Sequence, residues 1–168
     1  MVYNRRCWYS TCRVRWSEEA GGMGFILVVD DEAAVRQVLR RWLSDAGREC
    51  REAADAAEAL DVMAASPADV AFCDVQMPGK DGIWLTGEIR ARYPATAVVL
   101  ATGVTTVPPK VSMQAGVMAY LVKPIKRESF VSALEAAVSW HEQTVREGPR
   151  AEDRGARLND WLDELKEM

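Results

Sequence analysis

Four short apolar runs each end in a side chain suited to binding phosphate or a divalent cation. Phe25–Val29 is followed by Asp30 and Asp31, Val70–Cys73 by Asp74, Ala97–Ala101 by Thr102, and Tyr120–Val122 by Lys123. One carboxylate after a hydrophobic strand is common by chance. The whole set is not, because parallel strands open their C-termini on one edge, where ligands of open α/β sheets bind. Three carboxylates gathered there repel one another, by roughly 4 kcal/mol for a pair 4 Å apart at an effective dielectric of 20. The cluster calls for a cation. All-oxygen ligands suit Mg²⁺, which keeps several waters and takes one or two carboxylates plus phosphate oxygens. A carboxylate beside that ion can attack phosphorus to form an aspartyl phosphate. Phosphoryl transfer asks mainly for positioning and charge neutralisation; Lys123 would add positive charge, and Thr102 a hydroxyl donor to a phosphoryl oxygen.

The elements that must position these residues alternate. Ala33–Ala46 reads as a helix, with Val35, Val38, Leu39, Trp42 and Leu43 at three- and four-residue spacing and Gly47 as the stop. Glu49–Ala53 is a weaker, charged strand, and Asp55 caps a helix running to Ala64. After Asp74, the turn Met77-Pro78-Gly79-Lys80-Asp81-Gly82 leads into a helix over Ile83–Arg92. Pro108-Pro109 can start a helix but not sit inside one, which leaves a short fourth helix at about Pro109–Gln114. A strand over Ala119–Val122 precedes Lys123-Pro124 and a fifth, amphipathic helix from about Lys126 to Gln143. This alternation predicts a doubly wound, five-stranded parallel sheet, a flavodoxin-like (βα)5 fold with helices on both faces.

The motifs Ile26-Leu27-Val28-Val29-Asp30-Asp31-Glu32, Asp74-Val75-Gln76-Met77-Pro78-Gly79-Lys80-Asp81-Gly82, Ala101-Thr102-Gly103 and Tyr120-Leu121-Val122-Lys123-Pro124 are the decisive ones. In this order and at these separations they resemble the receiver domain of bacterial two-component response regulators, of the chemotaxis-regulator type, from about Gly24 to His141. The resemblance implies that Asp74 accepts a phosphoryl group from the phosphohistidine of a sensor kinase or phosphotransfer protein. Asp30, Asp31, Asp74 and the main-chain carbonyl of Gln76 would hold Mg²⁺. Thr102 and Lys123 would bind phosphoryl oxygens, with Thr102 and the aromatic Tyr120 as the switch. The only catalysis implied is of the domain's own phosphorylation and dephosphorylation. Output would pass through an unknown downstream protein, with a homodimer through the fourth and fifth helices or the C-terminal helix as one form. The chain departs from the common pattern at Pro108-Pro109.

Taken singly, each strand-end charge reads as solvated, Thr102 as a turn residue and Tyr120 as core. Two other functions compete. A receiver-like scaffold would bind partners without phosphorylation. An aspartyl-phosphate phosphatase of haloacid-dehalogenase type wants an acid two residues after the nucleophile, where this chain has Gln76. His141, the only histidine, reads as an exposed polar residue of the fifth helix, and Trp42, Trp84 and Trp140 as packing residues.

Composition bounds the rest. The 168 residues, 49% apolar and 27% charged, suit one domain with short extensions. No apolar run approaches the roughly 20 residues that span a bilayer, and Met1–Trp16 lacks a secretory h-region, so a cytoplasmic protein is expected. The net charge of −4 leaves no clustered basic face for nucleic acid, and no DNA binding by this chain is expected. Cys7, Cys12, Cys50 and Cys73 form no disulfide or zinc pattern. The expected division is an N-terminal extension at 1–22, a receiver at 23–143, and a linker with a short amphipathic helix at 144–168. Residues 1–22 are read as disordered or as a mis-assigned start, with Met23-Gly24-Phe25 the natural beginning. At the other end, Leu158, Trp161, Leu162, Leu165 and Met168 form an apolar helical stripe. The remaining 25 residues are too few for a usual effector domain, so a stand-alone receiver or a fragment is expected.

Overall fold

The computed structural model describes residues 24–103 and 117–148. The expectations for residues 1–22, for Cys7 and Cys12, for the fourth helix at Pro109–Gln114 and for the stripe at Leu158–Met168 lie outside the described residues. Five strands are described: β1 (Ile26–Val29), β2 (Cys50–Ala53), β3 (Val70–Asp74), β4 (Ala97–Thr102) and β5 (Val117–Val122). They form one parallel sheet in the order β2-β1-β3-β4-β5. The helices are α1 (Ala33–Asp45), α2 (Ala56–Ala65), α3 (Gly82–Arg92) and α4 (Arg127–Glu147), the last being the fifth in the sequence count.

Period-two alternation divides the strands between two cores. Leu27, Val29, Ala71, Cys73, Val98 and Leu100 pack with Ala59 and Met63 of α2 and Leu85 and Ile89 of α3. Ile26, Val28, Phe72 and Val99 pack with Leu39 and Leu43 of α1 and Phe130, Leu134 and Ala137 of α4. The Phe130 ring lies between Phe72, at 4.7 Å, and Trp42, at 5.4 Å. Crossovers of one hand put α1 on one face and α2 and α3 on the other, because the chain reverses direction across the sheet after β2. That reversal places a topological switch point between β1 and β3, where such sheets bind ligands.

Local chemistry sets the element ends. Gly47, at φ 68°, closes α1. Its N–H donates to the Ser44 carbonyl, and the Arg48 N–H to the Leu43 carbonyl, both at 2.9 Å, the two bonds of a Schellman end. Asp55 caps α2 by accepting the Glu58 N–H at 2.8 Å, and Glu58 reaches back to the Ala54 N–H at 2.7 Å. Asp81 caps α3 in the same way through the Trp84 N–H at 2.7 Å. The last helix exceeds its expected end. Thr144 is buried within α4, and the helix stops only at Gly148, at φ 83°. Residues 144–147, expected as linker, are therefore helical. Among the described residues, no helix is long and apolar enough to cross a membrane.

Candidate phosphoryl-transfer site

The strand register assembles the site. Val29 pairs with Cys73, so Asp30 follows β1 beside Asp74 at the end of β3. Asp74 pairs with Ala101, which sets Thr102 one residue further along β4. Thr102 pairs with Val122, and the Lys123 N–H donates to the Thr102 carbonyl at 2.7 Å. Four adjacent strands thus bring Asp30, Asp31, Asp74, Thr102 and Lys123 to one edge, spanning the switch point. The Lys123-Pro124 peptide bond is cis.

Oxygens of Asp30, Asp31 and Asp74 all lie within 4.8 Å of one another. Asp30 and Asp74 are buried, whereas Asp31 is exposed. Lys123 Nζ lies 2.8 Å from Asp30 Oδ2, 2.9 Å from Asp74 Oδ2 and 3.2 Å from Glu32 Oε1. The second oxygens are held by main chain: Asp30 Oδ1 accepts the Glu32 N–H at 2.9 Å and Asp74 Oδ1 the Gln76 N–H at 3.2 Å. Burial pushes the Asp30 carboxyl above its ordinary range against the pull of Lys123 and the Glu32 N–H, and the Asp74 charge adds to the rise. For Lys123, burial opposes the charge, but the contacts with Asp30 and Asp74 outweigh it and hold its proton more tightly than in an ordinary lysine.

The Lys123 ammonium pairs with three acidic side chains, and Asp31 adds a fourth to the cluster. The excess negative charge and the all-oxygen donor set fit a hard divalent cation such as Mg²⁺. Thr102 is fully buried at the end of β4. Tyr120 packs, half-buried, on the core shared with α2 and α3, and its hydroxyl is buried without a hydrogen-bond partner among the described residues. The two described thiols stand apart from this chemistry: burial pushes Cys50 up to about 11 and Cys73 up to about 12.

Three further residues shape the site that the strand-end pattern alone does not mark. Glu32 joins the Lys123 cluster, as its place directly after the acid pair in sequence hints. Arg36, one helical turn further on, donates to the Asp30 carbonyl at 2.6 Å and pairs through Nε with Glu52 at 3.4 Å. Gly82 packs against the main chain of Asp74, where a Cβ would collide with the Asp74 carbonyl oxygen. His141 is not exposed as expected; it lies at the opposite edge of the sheet, with its side chain 12% exposed.

Residues 26–135 match the family described as the response regulator receiver domain. The chain belongs to that family. As a receiver domain it is similar to the DNA-binding transcriptional regulator NtrC of Escherichia coli, with 36% identity over 71% of this chain and 26% of that protein. It is also 37% identical to the transcriptional regulatory protein PdtaR of Mycobacterium tuberculosis, over 73% of this chain and 61% of that one. The chain thus spans about a quarter of the NtrC length. Among solved structures, the receiver resembles the chemotaxis protein CheY4 of Vibrio cholerae, at TM-score 0.62 and 31% identity, covering 69% of this chain and 99% of the other. The receiver domain of NtrX from Brucella abortus matches at TM-score 0.64 and 33% identity, over 68% and 98%. The flavodoxin-like sheet expected from the sequence is the fold observed, and the receiver belongs with two-component response regulators.

Proposed function

We propose that this receiver accepts a phosphoryl group on Asp74 and that the modified site changes a protein-binding surface. The observation that carries the reading is the Lys123 ammonium held 2.8 Å from Asp30 and 2.9 Å from Asp74 at the switch point. An Asp74 carboxylate oxygen attacks phosphorus. The new P–O bond forms as the P–N bond of a donor phosphohistidine breaks, and the electron pair of that bond stays on the imidazole nitrogen. Asp30, Asp31, Asp74 and the Gln76 carbonyl would hold Mg²⁺, which when bound offsets charge on the transferring group. Lys123 neutralises a phosphoryl oxygen, and the Thr102 hydroxyl donates to another.

Drawing Thr102 and Lys123 toward modified Asp74 biases the ends of β4 and β5, and Tyr120 on β5 would report the shift. A phosphoryl group can bias two states only through its different contacts in each. The donor is a sensor histidine kinase or phosphotransfer protein, the listener a further protein, and the setting the cytoplasm.

Incubation with acetyl phosphate and Mg²⁺, followed by intact-protein mass spectrometry, tests the reading. The expected result is gain of one hydroxylamine-labile phosphoryl group, dependent on Mg²⁺ and lost in Asp74→Asn. Incorporation that persists in Asp74→Asn would overturn the assignment. No incorporation in the parent chain would favour a scaffold that works unphosphorylated.

A further inference from the structure

At the edge of the sheet opposite the carboxylate cluster, the chain's only histidine ties α4 to the starts of β3 and β4. His141 Nδ1 lies 2.7 Å from the Ala95 carbonyl oxygen, and Nε2 lies 3.3 Å from Asp69 Oδ1. The Asp69 side chain is only 4% exposed. Asp69 is fixed independently of the histidine. Its N–H donates to the Phe25 carbonyl and its carbonyl accepts from Ala97, each at 3.0 Å. Its carboxylate also accepts the Gly24 N–H, and a Cβ on Gly24 would come within 2.8 Å of Asp69 Oδ1.

Both ring nitrogens therefore face acceptors. A carbonyl has no hydrogen to give, so Nδ1 must carry the N–H in that bond. A neutral imidazole then presents a lone pair at Nε2, aimed at a carboxylate oxygen, which repels. The contact becomes attractive only when the pair holds one more proton, on Nε2 or on the Asp69 carboxyl.

We propose that Asp69 and His141 form a proton-dependent latch, in which one proton held by the pair fastens the C-terminal half of α4 to the sheet and its loss releases that half. The charged groups around the pair have opposing effects. Arg48, just before β2, favours the ionised Asp69, and Glu142 on α4 opposes it. From α3, Arg90 donates to the Pro94 carbonyl at 3.1 Å and the Thr96 carbonyl at 3.3 Å and stacks on Trp140 at 5.1 Å. Burial outweighs the lowering effects of His141, the Gly24 N–H and Arg48 and holds the Asp69 carboxyl above its ordinary range. The folded Asp69 carboxyl thus binds a proton more tightly than it does in the unfolded chain. Its stabilisation is full below the ordinary carboxylate range and is lost as pH rises through the folded value. The helix so held is the one that follows Lys123, and residues 149–168 continue from its far end.

Hydrogen exchange of residues 141–147 in the full chain, alongside NMR titration of the single imidazole, tests the latch between about pH 5.5 and 8, where imidazoles change charge. The expected result is that protection of these amides, corrected for intrinsic exchange, falls about tenfold as the pair loses its proton. In Asp69→Asn the carboxamide N–H can donate to a neutral ring, so protection should stay flat with pH. His141→Gln, which has no titrating ring, should be flat as well and decides the matter should Asp69→Asn fail to fold. Protection in the parent that ignores the imidazole titration, or a pH slope that survives in His141→Gln, would overturn the proposal.

Discussion

Lys123 and Asp74 lie 49 residues apart in sequence and 2.9 Å apart in space. The pair is buried on the Asp74 side and nearly so on the Lys123 side, with 4% and 15% of the side chains exposed. Asp30 shares the same ammonium at 2.8 Å. Removing that one cation leaves two buried carboxylates without a counter-charge, each keeping a main-chain N–H on its other oxygen.

Lys123→Met should therefore destabilise the fold by about 3–5 kcal/mol near neutral pH, the usual cost of removing one partner from a buried ion pair. The loss should shrink on acidification. The folded Asp30 carboxyl is raised by burial even with Lys123 present, and it rises further without the ammonium's opposing pull. It then keeps its proton to higher pH than the unfolded chain does, so its stabilisation is present at low pH and lost as pH rises. Urea unfolding of both proteins in chelator checks this: the gap should widen from about pH 4 upward, starting from the ordinary carboxylate range. Parallel profiles would rule it out.

Gly82→Ala is expected to be the most damaging single-methyl change near the site. The new Cβ would meet the carbonyl oxygen of Asp74 and come within 2.8 Å of its carbonyl carbon. Main chain cannot rotate away as a flexible side chain can, so either α3 or the Asp74 strand end must shift. A loss of about 1–3 kcal/mol or more is expected from such overpacking, read as a lower urea midpoint. Phosphoryl incorporation should fall in the fraction that stays folded. A variant with parent-like stability and incorporation would show that the turn at Gly79–Gly82 yields freely.

Asp55→Ala provides a contrast far from the chemistry. The Asp55 carboxylate accepts the Glu58 N–H at 2.8 Å at the start of α2. Its loss should cost about 1 kcal/mol, as for other N-caps. Phosphoryl incorporation at a temperature well below unfolding should be unchanged, which distinguishes a lost cap from a damaged site.

The residues that a strand brings to its own end were legible in the sequence, because a short apolar run followed by a charge states both the element and the place. Asp30, Asp74, Thr102 and Lys123 all belong to this class, and so do the Gly47 stop and the Asp55 cap, whose signals lie within a few residues. Contacts between elements distant in the chain left no such local mark. Gly82 reads as part of a Pro-Gly turn, and only the packing of α3 on β3 shows that Asp74 needs the missing side chain. His141 reads as a polar helix residue, and only the sheet edge facing α4 supplies Ala95 and Asp69. The end of α4 was obscured for another reason: Arg146 and Glu147 look like linker, while buried Thr144 and the positive φ of Gly148 set the boundary.

Arg36 offers the most direct way to test whether the acid cluster is held ready from behind. Its guanidinium bridges two elements: Nη1 donates to the Asp30 carbonyl at 2.6 Å, and Nε pairs with Glu52 of β2 at 3.4 Å. Glu52 in turn accepts from Arg40 at 3.1 Å, which ties a further turn of α1 to the same carboxylate. The Asp30 main chain is thereby fixed where it leads into Asp31, the exposed member of the cluster. A side chain that orients metal-binding groups without touching the ion typically affects affinity by 10–100-fold. Arg36→Gln should accordingly weaken Mg²⁺ binding by about tenfold, at the low end of that range because a single carbonyl contact is lost. Arg36→Lys should recover part of the affinity, since an ammonium can reach the carbonyl but cannot also present the guanidinium's second edge to Glu52. Mg²⁺ titration monitored by protein NMR reads the affinity directly, and urea unfolding in chelator reads stability apart from the ion. If Arg36 merely braces α1 on β2, both variants should lower the urea midpoint and leave Mg²⁺ affinity unchanged. If it positions the acids, affinity should follow the order parent, Lys, Gln, whatever the change in midpoint.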